Sequence, residues 1–212
     1  LTATLALGTV KPTATRIFEE VNQLGISSLG CERNIAAVRE RLNRADPDRI
    51  IIQIDRENAF GRCRRRTFQE FIADKFPELL RFVEACYRHD IPIHLGDYII
   101  DSTIGTTQGC PLAMLCYNGT QIPIQELMKL LLPDVWQCYI CDDATFDSAI
   151  DDANELFRIQ VEAGREYGQF VRPDKCKIIT THVSTIVPDD LIPAIPRDQI
   201  IRAEHECMPI LG

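Results

Sequence analysis

The chain has 212 residues, 45% of them hydrophobic, enough for one large or two small domains with a core of ordinary size. Lys and Arg number 23 against 31 Asp and Glu, and the resulting net charge of −8 argues against a protein that grips nucleic acid through an extended basic surface. Nine cysteines, scattered through apolar segments with one left over from any full pairing, point to reduced intracellular thiols and away from a disulfide framework.

Leu1 to Val10 is apolar but too short to span a bilayer and lacks a basic leader, so no membrane partner is expected. No initiating Met is present, as expected of a chain that begins inside a longer protein. Thr2 to Val21 reads as a helix interrupted at Pro12, and Gln23 to Gly30 as a glycine-punctuated loop. Cys31 to Asn43 gives a helix with Ile35, Val38 and Leu42 on one side. The turn Ala45-Asp46-Pro47-Asp48 leads into Ile50 to Ile54, a nearly continuous apolar run suited to a central strand buried on both faces. That run ends in Asp55, and a carboxylate there is costly unless it is paired or liganded.

Beyond Phe60 come Arg62 and the run Arg64-Arg65-Arg66, which reads equally as a solvated helix start and as a nucleic-acid contact. Thr67 to Tyr87 is helical, with Pro77 suited to a first turn and Leu79, Leu80, Val83, Cys86 and Tyr87 forming a core stripe. Ile93 to Leu95 and Tyr98 to Ile100 flank Gly96-Asp97, a hairpin signal. Gly105 to Gly109 is a polar, flexible loop, and Pro111 opens a helix expected to continue past Leu115 to Leu132.

Cys138 to Phe146 reads as two short strands joined by a tight turn that displays Asp142 and Asp143 at its tip. Adjacent carboxylates repel, and both stay ionised most readily beside a divalent cation or basic groups. With Asp55 as a third carboxylate, the chain has what a two-metal phosphoryl-transfer site needs, where two hard cations sit about 3.5 to 4 Å apart. Cys138 and Cys141 form a C-x-x-C without a second pair, and zinc is the weaker reading. Asp147 or Ser148 is expected to cap a helix from about Ala149 to Tyr167, with Asp151 and Asp152 favouring its positive end. Lys175 to Thr181 is expected to be a strand, and the Pro188, Pro193 and Pro196 region to be irregular until Met208. None of His89, His94, His182 and His205 falls in a motif.

In order along the chain, these segments resemble reverse transcriptases of retroelements. Asp55-Arg56-Glu57-Asn58-Ala59-Phe60 resembles the first palm motif, Gly105 to Ala113 the glutamine-glycine motif, and Cys141 to Thr145 the paired-aspartate motif. Lys175-Cys176-Lys177 is similar to the lysine motif and Leu211-Gly212 to the start of the primer grip. Gln23-Leu24-Gly25-Ile26, Gly30-Cys31-Glu32 and Ala37-Val38-Arg39 resemble the segment preceding the first motif in non-LTR-like elements. Ile140, Cys110 and Arg172 depart from the family pattern, where an aromatic residue, an aspartate and an asparagine are usual.

The element order and this resemblance imply an α+β polymerase palm, an antiparallel sheet with helices packed on one face. Residues 1–48 are expected to be a partial fingers segment, 49–182 the palm, and 183–212 the palm end leading to the primer grip, with the thumb absent. The implied activity is template-directed nucleotidyl transfer by an RNA-directed DNA polymerase, intracellular in cytoplasm or nucleus. Its partners would be an RNA or DNA template with primer and deoxynucleoside triphosphates. Asp55, Asp142 and Asp143 would hold Mg²⁺, or Mn²⁺, and Lys175 would assist the leaving group. Phe60 would act as a sugar gate, and Gln108, Gly109 and Arg65 would face nucleotide or template. The rivals are a palm repurposed as an interaction module and a nucleotidyl cyclase, which gives no reason for the Gln-Gly loop.

Overall fold

A computed structural model gives the fold and describes residues 2–107 and 109–202. Gln108 and residues 203–212, which include His205, Met208 and Leu211-Gly212, lie outside the described residues.

Helix α1 (Thr2–Glu20) carries Pro12 inside it, and α2 (Gly30–Arg44) follows after the glycine-containing loop. Strand β1 (Arg49–Ile54) runs into the one-turn helix α3 (Ala59–Arg62), then α4 (Arg65–Lys75) and α5 (Pro77–Tyr87). Pro77 opens α5 at a position whose N–H would have no partner in the helix. The hairpin of β2 (Ile91–Leu95) and β3 (Tyr98–Ser102) stands apart as its own two-stranded sheet. After it come α6 (Ala113–Leu131), β4 (Trp136–Ile140), β5 (Asp143–Ala149), α7 (Ala153–Glu166), β6 (Lys177–Thr180) and β7 (Ile200–Ile201).

The main sheet has the order β4-β5-β1-β6-β7, antiparallel except for the β6–β7 pair. Period-two alternation sorts β1 into two faces. Ile50, Ile52 and Ile54, with Tyr139, Ala144 and Phe146, pack against Met128 of α6 and Leu156, Phe157 and Ile159 of α7. Each of those isoleucines is at most 2% exposed, so each contributes about 2 kcal/mol relative to an exposed side chain. That anchoring lets the strand carry a charged residue at its end. A second core gathers Phe18 of α1, Phe68 and Phe71 of α4, Val83 and Tyr87 of α5, and Leu115 and Tyr117 of α6. On the other face of the sheet, Gln53, Thr145 and Lys177 open into a cleft flanked by Cys31 and Asn34 of α2. The architecture is a palm-like α+β fold.

Three expected boundaries move. Strand β5 continues through Asp147 and Ser148 to Ala149, so neither residue caps a helix, and α7 begins at Ala153. The reason is tertiary: the ladder to β1 extends to the Arg49–Ala149 pair, and Asp147 is bound by Arg49 at 2.7 Å and Arg41 at 3.5 Å. Lys175 lies in a 3-10 turn, Pro173–Lys175, and the strand starts at Lys177. Helix α6 starts at Ala113, two residues beyond Pro111, and the expected irregular C-terminal region contributes β7.

Candidate active site

The β1–β5 register pairs Ile54 with Ala144, and one further step carries Asp55 toward Asp143. Both acids line a cleft of about 340 Å³, together with Gln53, Thr145, Lys175 and Lys177. Asp143 is exposed at the mouth, yet its carboxyl is pushed up from the ordinary carboxylate range, first by partial desolvation and then by the charges of Asp142 and Asp55. Because water reaches the group, screening moderates the shift. The like-charge repulsion is of the kind that a bound cation relieves.

Asp142 sits in the two-residue turn between the paired Ile140 and Asp143. Its charge acts on Asp143 and also on the buried hydroxyl of Tyr117, which is pushed up mainly by burial. Cys141, the other turn residue, has a left-handed backbone (φ 53°), unusual for a residue with a Cβ, and burial pushes its thiol up to about 12. Among the described residues no three His, Cys, Asp or Glu side chains gather into a metal-binding group. The shared cleft thus holds two of the three expected carboxylates, Asp55 and Asp143, while Asp142, in the adjoining turn, is not among the residues that line it.

The segment that carries Lys175 is stitched to the end of β1. Glu57 N–H donates to Phe170 O at 2.7 Å, Arg172 N–H to Asp55 O at 3.0 Å, and Lys175 N–H to Arg172 O at 2.9 Å. These bonds bring the exposed Lys175 to the cleft that Asp55 also lines. Phe60 is half-buried, its ring stacked on Tyr117 with centroids 4.4 Å apart.

The Gly105–Gly109 loop rests on the chain just after Asp55. Gly105 N–H donates to Cys63 O at 2.9 Å and Thr106 N–H to Phe60 O at 2.7 Å. At Gly105 (φ 74°) an added Cβ would stand 2.3 Å from Gly61 O, so the close approach requires glycine. Gly109 is exposed and Gln108 lies outside the described residues. Arg65 fastens this loop: its guanidinium donates to Ser102 O at 2.7 Å, Gly105 O at 3.1 Å and Ile104 O at 3.4 Å. Its donors face protein carbonyls instead of the open cleft, so its observed contribution to the site is to hold the loop.

Sequence reading missed Tyr117, an aromatic residue in an apolar helix run that reads as core, and Cys31 and Asn34, which line the cleft from α2. No side-chain signal distinguishes these from packing residues. Among the described residues no helix is long and apolar enough to cross a membrane.

No family model and no curated protein matches the chain. Its fold does match solved structures of telomerase. Telomerase from Candida tropicalis in complex with a TWJ fragment of telomeric RNA aligns with a TM-score of 0.60 and 14% identity over 82% of this chain. A truncated apo form from the same organism gives 0.58 and 15% over 81%, and telomerase from Candida albicans with a TWJ fragment 0.58 and 14% over 84%. The chain spans 33%, 39% and 33% of those chains, about a third of their length, and at such identities the likeness shows the fold alone.

Proposed function

We propose that this chain is the palm region of a template-directed nucleotidyl transferase, an RNA-directed DNA polymerase of reverse-transcriptase type. The observation that carries the reading is Asp55 brought toward Asp143 at one cleft beside Lys175, on a fold shared with part of telomerase. The assignment to a non-LTR-like retroelement rests on the order of motifs in the sequence. Residues 1–48 would then be a partial fingers segment, 49–182 the palm and 183–212 the approach to the primer grip, in an intracellular protein of cytoplasm or nucleus.

Hard oxygen donors that repel one another suit a hard divalent cation, so Asp55, Asp142 and Asp143 are the residues that would hold Mg²⁺ or Mn²⁺. When bound, the metal supplies neutralisation of the charge that develops on the transferring phosphoryl group. The chain's own residues do the rest. Asp55 and Asp143 fix the position of the cleft's negative charge. Lys175 offers an ammonium at its flank that can bind the triphosphate and protonate the leaving group. Phe60 presents a ring against which a 2′-hydroxyl would clash, and Gln108 and Gly109 would face template and incoming nucleotide. The partners are a primed RNA or DNA template and deoxynucleoside triphosphates.

One observation favours the rival, a palm that serves as a non-catalytic interaction module: the three carboxylates do not form a compact metal-binding group among the described residues. Primer extension with Mg²⁺, comparing the wild-type sequence with D142N/D143N in a chain long enough to bind primer-template, separates the two. Extension abolished by the double substitution supports the polymerase; no extension by either supports the rival.

A further inference from the structure

The turn that presents Asp142 and Asp143 is held from outside its hairpin by one side chain. Gln23 is 0% exposed, and its carboxamide reaches both main-chain groups of Cys141. Gln23 Oε1 accepts from Cys141 N–H at 3.0 Å, and Gln23 Nε2 donates to Cys141 O at 3.1 Å. The remaining capacity of the amide is also used: Oε1 accepts from Gly25 N–H at 3.0 Å and Nε2 donates to Gln121 Oε1 at 2.6 Å. Two donors and two acceptor sites, all filled, leave the group no alternative orientation.

The backbone around Gln23 is clamped to the same hairpin. Leu24 N–H donates to Tyr139 O at 2.7 Å and Tyr139 N–H to Asn22 O at 2.9 Å, so this short segment borders β4 like an added parallel strand. Behind Gln23 the bonds continue inward. Gln121 Nε2 donates to Tyr117 Oη at 2.9 Å, and Tyr117 Oη donates to Gln169 Oε1 at 2.7 Å. Gln169 Nε2 donates to Thr120 Oγ1 at 2.7 Å. The relay joins the turn to α6, which also stacks Phe60, and to the segment leading to Lys175.

We propose that Gln23 is the positioning residue of the Asp142–Asp143 turn. It holds Cys141 in its left-handed conformation, which is strained for a residue with a Cβ and so needs external bonds to persist. Gln23 touches no reacting atom; it acts by fixing where the two carboxylates stand. The catalytic half of this inference rests on the polymerase reading, and the conformational half does not.

The test uses hydrogen exchange of the peptide spanning Cys138 to Thr145, together with Mn²⁺ binding read by electron paramagnetic resonance, on the wild-type chain, Gln23→Met and Gly25→Ala. Gln23→Met keeps the side-chain length without its four bonds. Gly25→Ala reaches the turn by another route, since its Cβ would stand 2.6 Å from Cys141 Sγ and 2.9 Å from Cys141 N. The expected result is turn exchange faster by about tenfold or more with α5 exchange unchanged, and Mn²⁺ affinity lower by about tenfold, typical of lost outer support around a metal ligand. Where Gln23→Met loosens α5 as well, Gly25→Ala decides. Unchanged turn exchange in both variants overturns the clamp. A loosened turn with undiminished Mn²⁺ binding overturns the positioning role. A wild-type chain that binds no Mn²⁺ while the turn still depends on Gln23 sinks the polymerase reading and leaves the clamp standing.

Discussion

Replacing Asp147 by Asn tests how the strand that carries Asp143 is anchored. Its side chain is 5% exposed and lies between Arg49 Nε at 2.7 Å and Arg41 Nε at 3.5 Å. Arg49 also donates to the Asp147 carbonyl at 2.9 Å, and Arg41 lies over the Trp136 ring, 3.7 Å from its centroid. Burial pulls the Arg41 guanidinium down from its ordinary value and the charge of Asp147 opposes that pull. Asn keeps the shape and removes the charge, leaving two guanidinium groups facing each other. Removing one member of a buried ion pair costs about 3 to 5 kcal/mol, and the 27% exposure of Arg49 reduces the expectation to about 2 kcal/mol. For a chain of this size that lowers the melting midpoint by about 4 to 8 °C. Trp136 is the only tryptophan in the chain, so its fluorescence followed through thermal unfolding reports on the cluster directly. The exposed pair Glu40–Arg44 supplies the control: Glu40→Ala should leave the midpoint in place. A D147N midpoint as unmoved as that of Glu40→Ala would refute the ion-pair account.

Three further outcomes follow from the same geometry. In a longer, active chain, Phe60→Val should raise ribonucleotide incorporation; unchanged discrimination at unchanged stability would remove the gate. Burial pushes the Cys63 and Cys138 thiols up to about 12, so their thiolate fractions at pH 8 are small and rise with each pH unit toward 12. Iodoacetamide at pH 8 should therefore modify the exposed Cys31 while these two stay intact, and equal labelling in the native chain would contradict their burial. Binding of labelled primer-template by the 212 residues should be weak, with log affinity falling against log salt at a slope no steeper than about −2, the value for two phosphate contacts. A steep slope with tight binding would show that the chain holds nucleic acid on its own.

What was legible in the sequence was whatever a local pattern fixes. The isoleucine run predicted β1 because β-branched residues buried on both faces fit only a central strand, and Gly96-Asp97 predicted the β2–β3 turn because a positive φ is needed there, as Gly96 shows at 60°. Asp147 misled for a non-local reason. An acid before an apolar run has the local look of a helix cap, and only the register with β1, which brings Arg49 and Arg41 alongside, makes it part of a strand. The two carboxylates of the cleft are 88 positions apart, and their convergence was inferable only from the motif order. Gln23 belongs to a motif, but its partner Cys141 lies 118 residues away, and nothing in the sequence specifies that contact.

The acidic balance of the chain acquires a sharper meaning once the arginines are placed. Arg62 is held by Glu57 at 2.5 Å and by the Phe170 ring at 4.0 Å, Arg172 by Asp174 at 2.6 Å, and Arg66 by Glu70 at 2.7 Å. Arg65 faces loop carbonyls, Arg41 and Arg49 bind Asp147, and the buried Arg56 donates to Gln160 at 2.7 Å. The basic run near Phe60 that reads as a nucleic-acid contact is thus engaged largely with the protein itself. Lys175 and Lys177 are the cations on the flank of the carboxylate cleft. A phosphate chain approaching that cleft meets two lysines and the negative field of Asp55, Asp142 and Asp143, which repels it until a divalent cation reverses the local charge. On the proposed polymerase reading, nucleic-acid binding at this face is expected to be coupled to metal binding, each strengthening the other by the same factor.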